Sequence, residues 1–280
     1  MDVSGLSDKV SEIIKEGAGK IVKPRFQNLH EHEVTTKKSR TDLLTIADTE
    51  MEHFLERNLP QLLPGSRFIG EESTSRGEFD LKALENEDDY FWVVDPIDGT
   101  YNFANGIAEF GVMVAVMKQG RPVAGWIYDV PGDRLYTGFK GEGAYIEGKP
   151  VRLDVSRKSE KQMRGVIGNH ALSHGFLSEL KRFSDKFERI IINRCSAASY
   201  AGLVNVALDF VIYRVVYPWD HMPGSLIFKE AGGNTYYWDG NEYIYKKEKM
   251  GIFSASTQAL ADDIQSNIRQ ICEKHQFLLA

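Results

Sequence analysis

The chain has 280 residues, 42% of them apolar and 26% charged, with a net charge of −6. That length suits one large domain or two closely packed ones around a sizeable core. The negative balance speaks against a general nucleic-acid role, which needs clustered Lys and Arg. No apolar run approaches the roughly 20 residues of a membrane span. The start, MDVSGLSDKV, lacks a basic segment followed by an apolar one. Cys195 and Cys272 lie far apart and outside any CxxC pair. The expectation is a cytoplasmic protein with no disulfide framework, no membrane and no nucleic acid as partner.

From Leu6 to Phe26, the residues Val10, Ile13, Ile14, Ile21 and Val22 recur at helical spacing, and Pro24 limits that helix. A second helix is expected from about Asp48 to Leu59, with Met51, Phe54, Leu55 and Leu59 on one face and Pro60 and Pro64-Gly65 closing it. Arg67 to Gly70 reads as a short strand running into Glu71-Glu72-Ser73, and Phe91 to Val94 as a buried strand. Between Phe110 and Val151 an antiparallel meander is expected, with strands at Val112–Val116, Val123–Tyr128, Leu135–Phe139 and Ala144–Ile146 separated by Gly- and Pro-containing turns.

Beyond Asp154 the pattern alternates as in α/β proteins. Strands are expected at Gly165–Ile167, Arg189–Asn193 and Phe210–Tyr213. Helices are expected at His174–Phe187, Ser196–Leu208 and Met222–Ala231, the last ending at Gly232-Gly233. Two short strands, another at Gly251–Ser254 and a helix from Thr257 to Gln276 complete the reading. Residues 1–153 and 154–280 are the expected subdomains.

Carboxylates stand where strands and loops end: Asp48, Glu71-Glu72, Asp95 with Asp98, and Asp220. A lone acid in such a place is ordinarily a cap or a solvated turn. Asp95 and Asp98 differ because both fall within one short loop after an apolar strand. Pro96 stiffens that loop, the Ile97 carbonyl adds a third oxygen, and a short helix opens at Gly99-Thr100, whose N–H groups suit an anion. An all-oxygen donor set of this kind suits Mg²⁺ or Mn²⁺.

Three motifs in order now identify a resemblance: Gly70-Glu71-Glu72-Ser73, Trp92-Val93-Val94-Asp95-Pro96-Ile97-Asp98-Gly99-Thr100, and Trp219-Asp220-His221-Met222-Pro223-Gly224 leading into Glu230-Ala231-Gly232-Gly233. Asp42-Leu43-Leu44-Thr45 with Asp48, and Lys38 before them, fit an upstream element. The chain resembles the inositol monophosphatase superfamily of Mg²⁺-dependent, Li⁺-sensitive phosphatases. The resemblance implies an α/β fold layered α-β-α-β-α, with an N-terminal antiparallel sheet and a C-terminal mixed sheet. It implies hydrolysis of a small phosphate monoester by metal-activated water, with two or three Mg²⁺ ions, or Mn²⁺ in their place. Glu71, Asp95 and the Ile97 carbonyl would hold one ion, and Asp95, Asp98 and Asp220 a second. Thr100 and Asp48 would orient and deprotonate the water, with Glu71 assisting. Gly99 and Thr100 would bind the phosphate, and Ser196 and Ala197 would contact phosphate or substrate. The resemblance also implies a homodimer.

Other residues admit plainer readings. Cys195 is expected as buried packing rather than as a nucleophile. His30-Glu31-His32 lacks the i, i+4 spacing of a helical zinc site. Trp219 is expected to fix Asp220 by packing. Members acting on inositol carry an acid several residues before the Trp-Asp pair; here Tyr213 stands there, followed by Arg214. A phenol lacks a carboxylate's charge. Histidinol phosphate, fructose 1,6-bisphosphate and 3′-phosphoadenosine 5′-phosphate are therefore alternatives to inositol 1-phosphate, and a non-catalytic binding protein is the alternative of another class.

Overall fold

The computed structural model describes residues 3–37, 39–40, 42–86, 88–154, 158–168, 172–247, 249 and 251–275. Helix α1 (Ser7–Gly17) buries Val10, Ile14 and Gly17, then continues through a π turn at Ala18–Val22 and a 3-10 turn at Lys23–Arg25. The helical stretch expected up to Phe26 is thus present, with its winding changing on the way. A small hairpin follows, β1 (Val34–Thr36) against β2 (Leu43–Thr45), which the sequence pattern did not suggest. Helix α2 spans Ile46–Leu62, beyond the expected Asp48–Leu59 at both ends, and Pro60 lies inside its last turn. There the missing N–H forfeits a single bond, to the carbonyl four residues back, so the helix tolerates it.

Strand β3 (Arg67–Gly70) leads into the short α3 (Glu71–Ser75), and α4 (Ala83–Asn86) precedes β4 (Phe91–Asp98). After α5 (Thr100–Ala104) comes the meander: β5 (Gly111–Lys118), β6 (Arg121–Asp129), β7 (Arg134–Phe139), β8 (Gly143–Ile146) and a further strand, β9 (Lys149–Val151). These make a seven-stranded sheet in the order β3 to β9. It is antiparallel except at its first pair, where β3 joins β4 in parallel. Both faces are covered, so β5 reads as a continuous apolar run rather than an alternation. Val112, Val114 and Val116 face α1 and α2, while Met113, Ala115 and Met117 face the other way.

The second half comprises β10 (Arg164–Ile167), α6 (His174–Ser184), β11 (Arg189–Ile191), α7 (Ser196–Val204), β12 (Phe210–Tyr213), α8 (Pro218–Ala231), β13 (Asn234–Tyr237), β14 (Ile252–Ala255) and α9 (Gln258–Lys274). The strands form a mixed sheet ordered β11-β10-β12-β14-β13. Helices α6 and α7 and strand β11 stop short of their expected ends at Phe187, Leu208 and Asn193. The second short strand after α8 is a single bridge, Tyr236 to Glu242. Gln276, the expected end of α9, lies outside the described residues. Helix α8 starts four residues before the expected Met222, because Pro218 occupies the first helical position, where its missing N–H costs nothing.

Five layers result. Helices α1 and α2 pack on one face of the first sheet through Ile14, Met51 and Leu55 against Trp92, Val114 and Trp126. Helices α7 and α8 fill the space between the sheets, with Tyr200, Ile227 and Phe228 against Met113, Tyr136, Val166 and Val211. Helices α6 and α9 cover the far face of the second sheet through Phe176, Ile264 and Ile268. The contact of α8 with the first sheet is close: a Cβ on Gly138 in β7 would fall 2.8 Å from Ile227 Cα. No helix among the described residues is long and apolar enough to cross a membrane.

Candidate active site

The site begins with a fault in β4. Asp95 and Asp98 are three residues apart, and regular pleating would send them to opposite faces. The ladder slips between them: Asp95 pairs with Met113 but Asp98 with Gly111, so β4 carries one residue more than β5 over this interval. Pro96, having no N–H to give a ladder, sits in this bulge. The extra residue restores the two acids to one side. Gly99, at φ 86°, then turns the chain out of the strand so that α5 can start at Thr100.

Asp220 arrives from the first turn of α8. Carboxylate oxygens of Asp95, Asp98 and Asp220 lie within 4.8 Å of one another, and they form the group of three or more potential ligands found among the described residues. The His30 and His32 rings stack on each other 5.5 Å apart and take no part in it. Asp95 Oδ1 is buried with no hydrogen-bond partner. Such an atom costs free energy unless something occupies the space before it. Glu71, Ile97, Gly99 and Thr100 line the same cleft, which has a volume of about 290 Å³. Hard carboxylate oxygens, one of them unpartnered, fit a divalent cation such as Mg²⁺.

Asp48 is the third residue of α2 and closes a capping box with Thr45. Its Oδ2 accepts from the Thr45 amide at 2.8 Å and the Thr45 hydroxyl at 2.5 Å. Its Oδ1 accepts from Thr100 Oγ1 at 2.9 Å. The ordinary capping role and the expected catalytic one thus use different oxygens. The Thr100 hydroxyl also lies 2.9 Å from the Ile97 carbonyl, so one proton has two acceptors in reach.

Two supporting groups escaped the sequence reading. Glu52, one turn beyond Asp48 on the buried face of α2, accepts from the amides of Glu72 at 2.7 Å and Ser73 at 2.8 Å. It caps α3 and so places Glu71. The available signal was a second charged residue, one turn after Asp48, on a helix stripe that otherwise carries Met51, Leu55 and Leu59. Lys37 ion-pairs with Glu71 at 3.1 Å and Glu72 at 2.7 Å. Its neighbour Lys38, singled out from the sequence, lies outside the described residues.

On the opposite wall, Cys195 is buried and caps α7 through its sulfur, which accepts from the Ala198 amide at 3.3 Å. It is more than packing: the thiol donates to Asp98 Oδ2 at 2.9 Å, and the Ala197 amide donates to the same oxygen at 2.6 Å. The Ala197 N–H, expected to contact substrate, therefore points at Asp98 instead. Ser196 lines the cleft. Tyr213 also lines it, but its hydroxyl is donated to Ser199 at 2.6 Å. His221 is buried, with Nε2 3.3 Å from the Val215 carbonyl and its ring against Tyr213. Trp219 is nearly buried, as expected of a packing residue, and stacks on the more exposed Tyr217 at 5.3 Å.

The electrostatics follow from burial and crowding. Burial first, then Glu71, Asp98 and Asp220, push Asp95 well above the usual carboxylate range. Burial followed by Asp98 and Glu71 does the same to Asp220. Burial lifts Asp98 to about 6 against the thiol and amides that favour its anion. Asp48 is likewise lifted to about 6 by burial, against Thr45 and Thr100. Glu72 reaches about 8 through burial and Glu71, with Lys37 opposing. Burial alone would lower the Lys37 ammonium, yet Glu71 and Glu72 outweigh it and hold it raised. A cluster in this state repels itself unless cations enter.

A sequence profile described as "Inositol monophosphatase family" matches residues 7–273. The chain belongs to that family. It is 32% identical to inositol monophosphatase 1 of Solanum lycopersicum over 83% of this chain and 85% of the relative. It is 30% identical to the inositol-1-monophosphatase of Bacillus subtilis, again over 83% and 85%. Among solved structures, a Thermotoga maritima IMPase superposes with a TM-score of 0.80 at 22% identity, covering 97% of this chain and 99% of that one. A staphylococcal IMPase complexed with products gives 0.79 at 17% identity, covering 95% and 96%. These structures match the layered fold, and metal dependence is a property of the family to which the carboxylate cluster conforms.

Proposed function

We propose that this member of the inositol monophosphatase family, a phosphoric monoester hydrolase, cleaves a small phosphorylated metabolite of the inositol 1-phosphate type by direct attack of water. The convergence of Asp95, Asp98 and Asp220 within 4.8 Å, from two halves of the chain, carries this reading. These residues, with Glu71 and the Ile97 carbonyl, would hold two or three Mg²⁺ ions, or Mn²⁺ in their place. Bound there, the cations supply Lewis acidity toward phosphate oxygens and toward water.

The chain's own groups do the rest. Water attacks phosphorus, the ester P–O bond breaks, and the departing oxygen takes up a proton. When the Thr100 hydroxyl gives its proton to Asp48, its lone pair can accept from the attacking water. Burial raises the basicity of Asp48 above that of a solvated carboxylate, which favours its receiving that proton. Gly99 and Thr100 line the cleft, and their amides would meet the phosphate oxygens there. Ser196 and Tyr213 line the cleft and would bound the leaving group. Asp98 is fixed by Cys195 and Ala197, which supports the reading that its geometry matters more than its mobility.

In this reading residues 1–153 supply most of the ligands, residues 154–280 supply Asp220 and the substrate wall, and the protein works in the cytoplasm as a homodimer. The test is phosphate release from a panel of monoesters with and without millimolar Mg²⁺. Mg²⁺-dependent release, inhibited by excess Li⁺, supports it. No turnover of any ester would leave the non-catalytic binding protein as the better account. Sedimentation at micromolar concentration reads the oligomeric state.

A further inference from the structure

The cleft differs in charge from one wall to the other. Asp95, Asp98, Asp220 and Glu71 crowd one side. The stretches 193–196 and 213–215, which also line it, contain two arginines and no carboxylate of their own, while Asp42 lines the cleft elsewhere and Glu109 accepts from Asn193. The Tyr213 hydroxyl there is spent on Ser199, and burial pushes its pKa up, so it brings no negative charge. Lys37 is consumed by Glu71 and Glu72. Arg194 is placed differently. It is exposed, lines the cleft, and sits with its guanidinium 4.4 Å from the centroid of the Tyr101 ring. No carboxylate among the described residues pairs with it.

Both members of that pair are anchored. Arg194 directly precedes Cys195, whose thiol is tied to Asp98, and Tyr101 directly follows Thr100, whose hydroxyl is tied to Asp48. The ring takes up none of the guanidinium's donors strongly, so Arg194, which makes no ion pair among the described residues, keeps N–H groups for another acceptor. A neutral polyol gains little from such a group, whereas a phosphate or carboxylate gains charge-assisted, bidentate hydrogen bonds.

We propose that Arg194, braced on Tyr101, binds a second anionic group of the substrate. The preferred ester is then one whose leaving group itself carries a phosphate or a carboxylate. This rests on the phosphatase reading, keeps its chemistry, and replaces the neutral inositol leaving group with an anionic one.

The experiment compares matched pairs with the full chain and Mg²⁺. Glucose 1,6-bisphosphate against glucose 1-phosphate tests a phosphate as the second anion, and 2-phosphoglycerate against glycerol 2-phosphate tests a carboxylate. The expected result is a kcat/KM about tenfold or more higher for the anionic member of at least one pair, the scale of a charged hydrogen bond. In Arg194→Gln that ratio falls toward one, chiefly through KM, and Arg194→Lys keeps part of it. Arg194 is exposed, so both variants should fold, which a thermal melt checks. Equal efficiencies within both pairs, or an unchanged ratio in Arg194→Gln, overturn the inference and leave the hydrolase standing. Release of no phosphate from any of the four esters, while inositol 1-phosphate is hydrolysed, overturns the inference alone; if inositol 1-phosphate is left intact as well, the hydrolase reading falls with it.

Discussion

The floor of the cleft and its outer wall are built on different terms. At the floor, Asp48 and Asp98 are buried and held by short hydrogen bonds from Thr45, Thr100, Cys195 and Ala197. At the outer wall, Arg194 and Tyr217 are exposed, and ring faces hold them. The floor can position charges to a fraction of an ångström, as catalysis requires. The wall can vary without disturbing it. In the proposed reading, reaction type and substrate choice are written in separate parts of one cavity.

The sharpest way to break this comparison is Asp98→Asn, which keeps the shape and removes a charge from the floor. Turnover should fall by about three powers of ten with the fold intact, since electrostatic stabilisation dominates phosphoryl transfer. Near wild-type hydrolysis would refute the assignment of Asp98. Thr100→Ala should cost about a hundredfold in kcat, the scale of a lost proton-handling group, while Thr100→Ser retains most activity. Steady-state kinetics on a single ester decides both.

The crowded floor also predicts a pH dependence for protein stripped of divalent ions. Asp48, Asp98 and Glu72 titrate at about 6, 6 and 8 in the folded state, above their unfolded values. Raised acids contribute stability that is complete below the unfolded pKa and is lost as pH rises through the folded one. With EDTA present, the melting temperature should therefore drop by several degrees between pH 5 and pH 8. Mg²⁺ should recover more of it at pH 8 than at pH 5. A flat profile would mean that the carboxylates do not burden the fold. The smallest effect is expected of Cys195→Ala, which removes one donor to Asp98. A loss of about tenfold or less in kcat is expected, with Cys195→Ser closer to wild type.

Much of the floor was legible because its signals are local. The apolar run ending at Asp95, the proline that cannot pair and the glycine that turns the chain are contiguous, and each forces its neighbour's geometry. Glu52 and Lys37 were not legible, because their meaning comes from α3, 20 and more residues away. Cys195 looked like packing, since nothing near it in sequence announces Asp98. The β1–β2 hairpin makes only three pairs and has no alternation long enough to read. The early start of α8 is legible in Pro218, which suits the first helical position.

The position of α8 has a consequence for synthesis. It is encoded late, yet it lies across the sheet laid down first, in the gap that Gly138 leaves open. A nascent chain that has emerged only through its opening half exposes a bare apolar surface and lacks Asp220. If Asp220 serves as proposed, catalytic competence is among the last properties the polypeptide acquires, and an arrested or truncated product would be sticky and inert rather than weakly active.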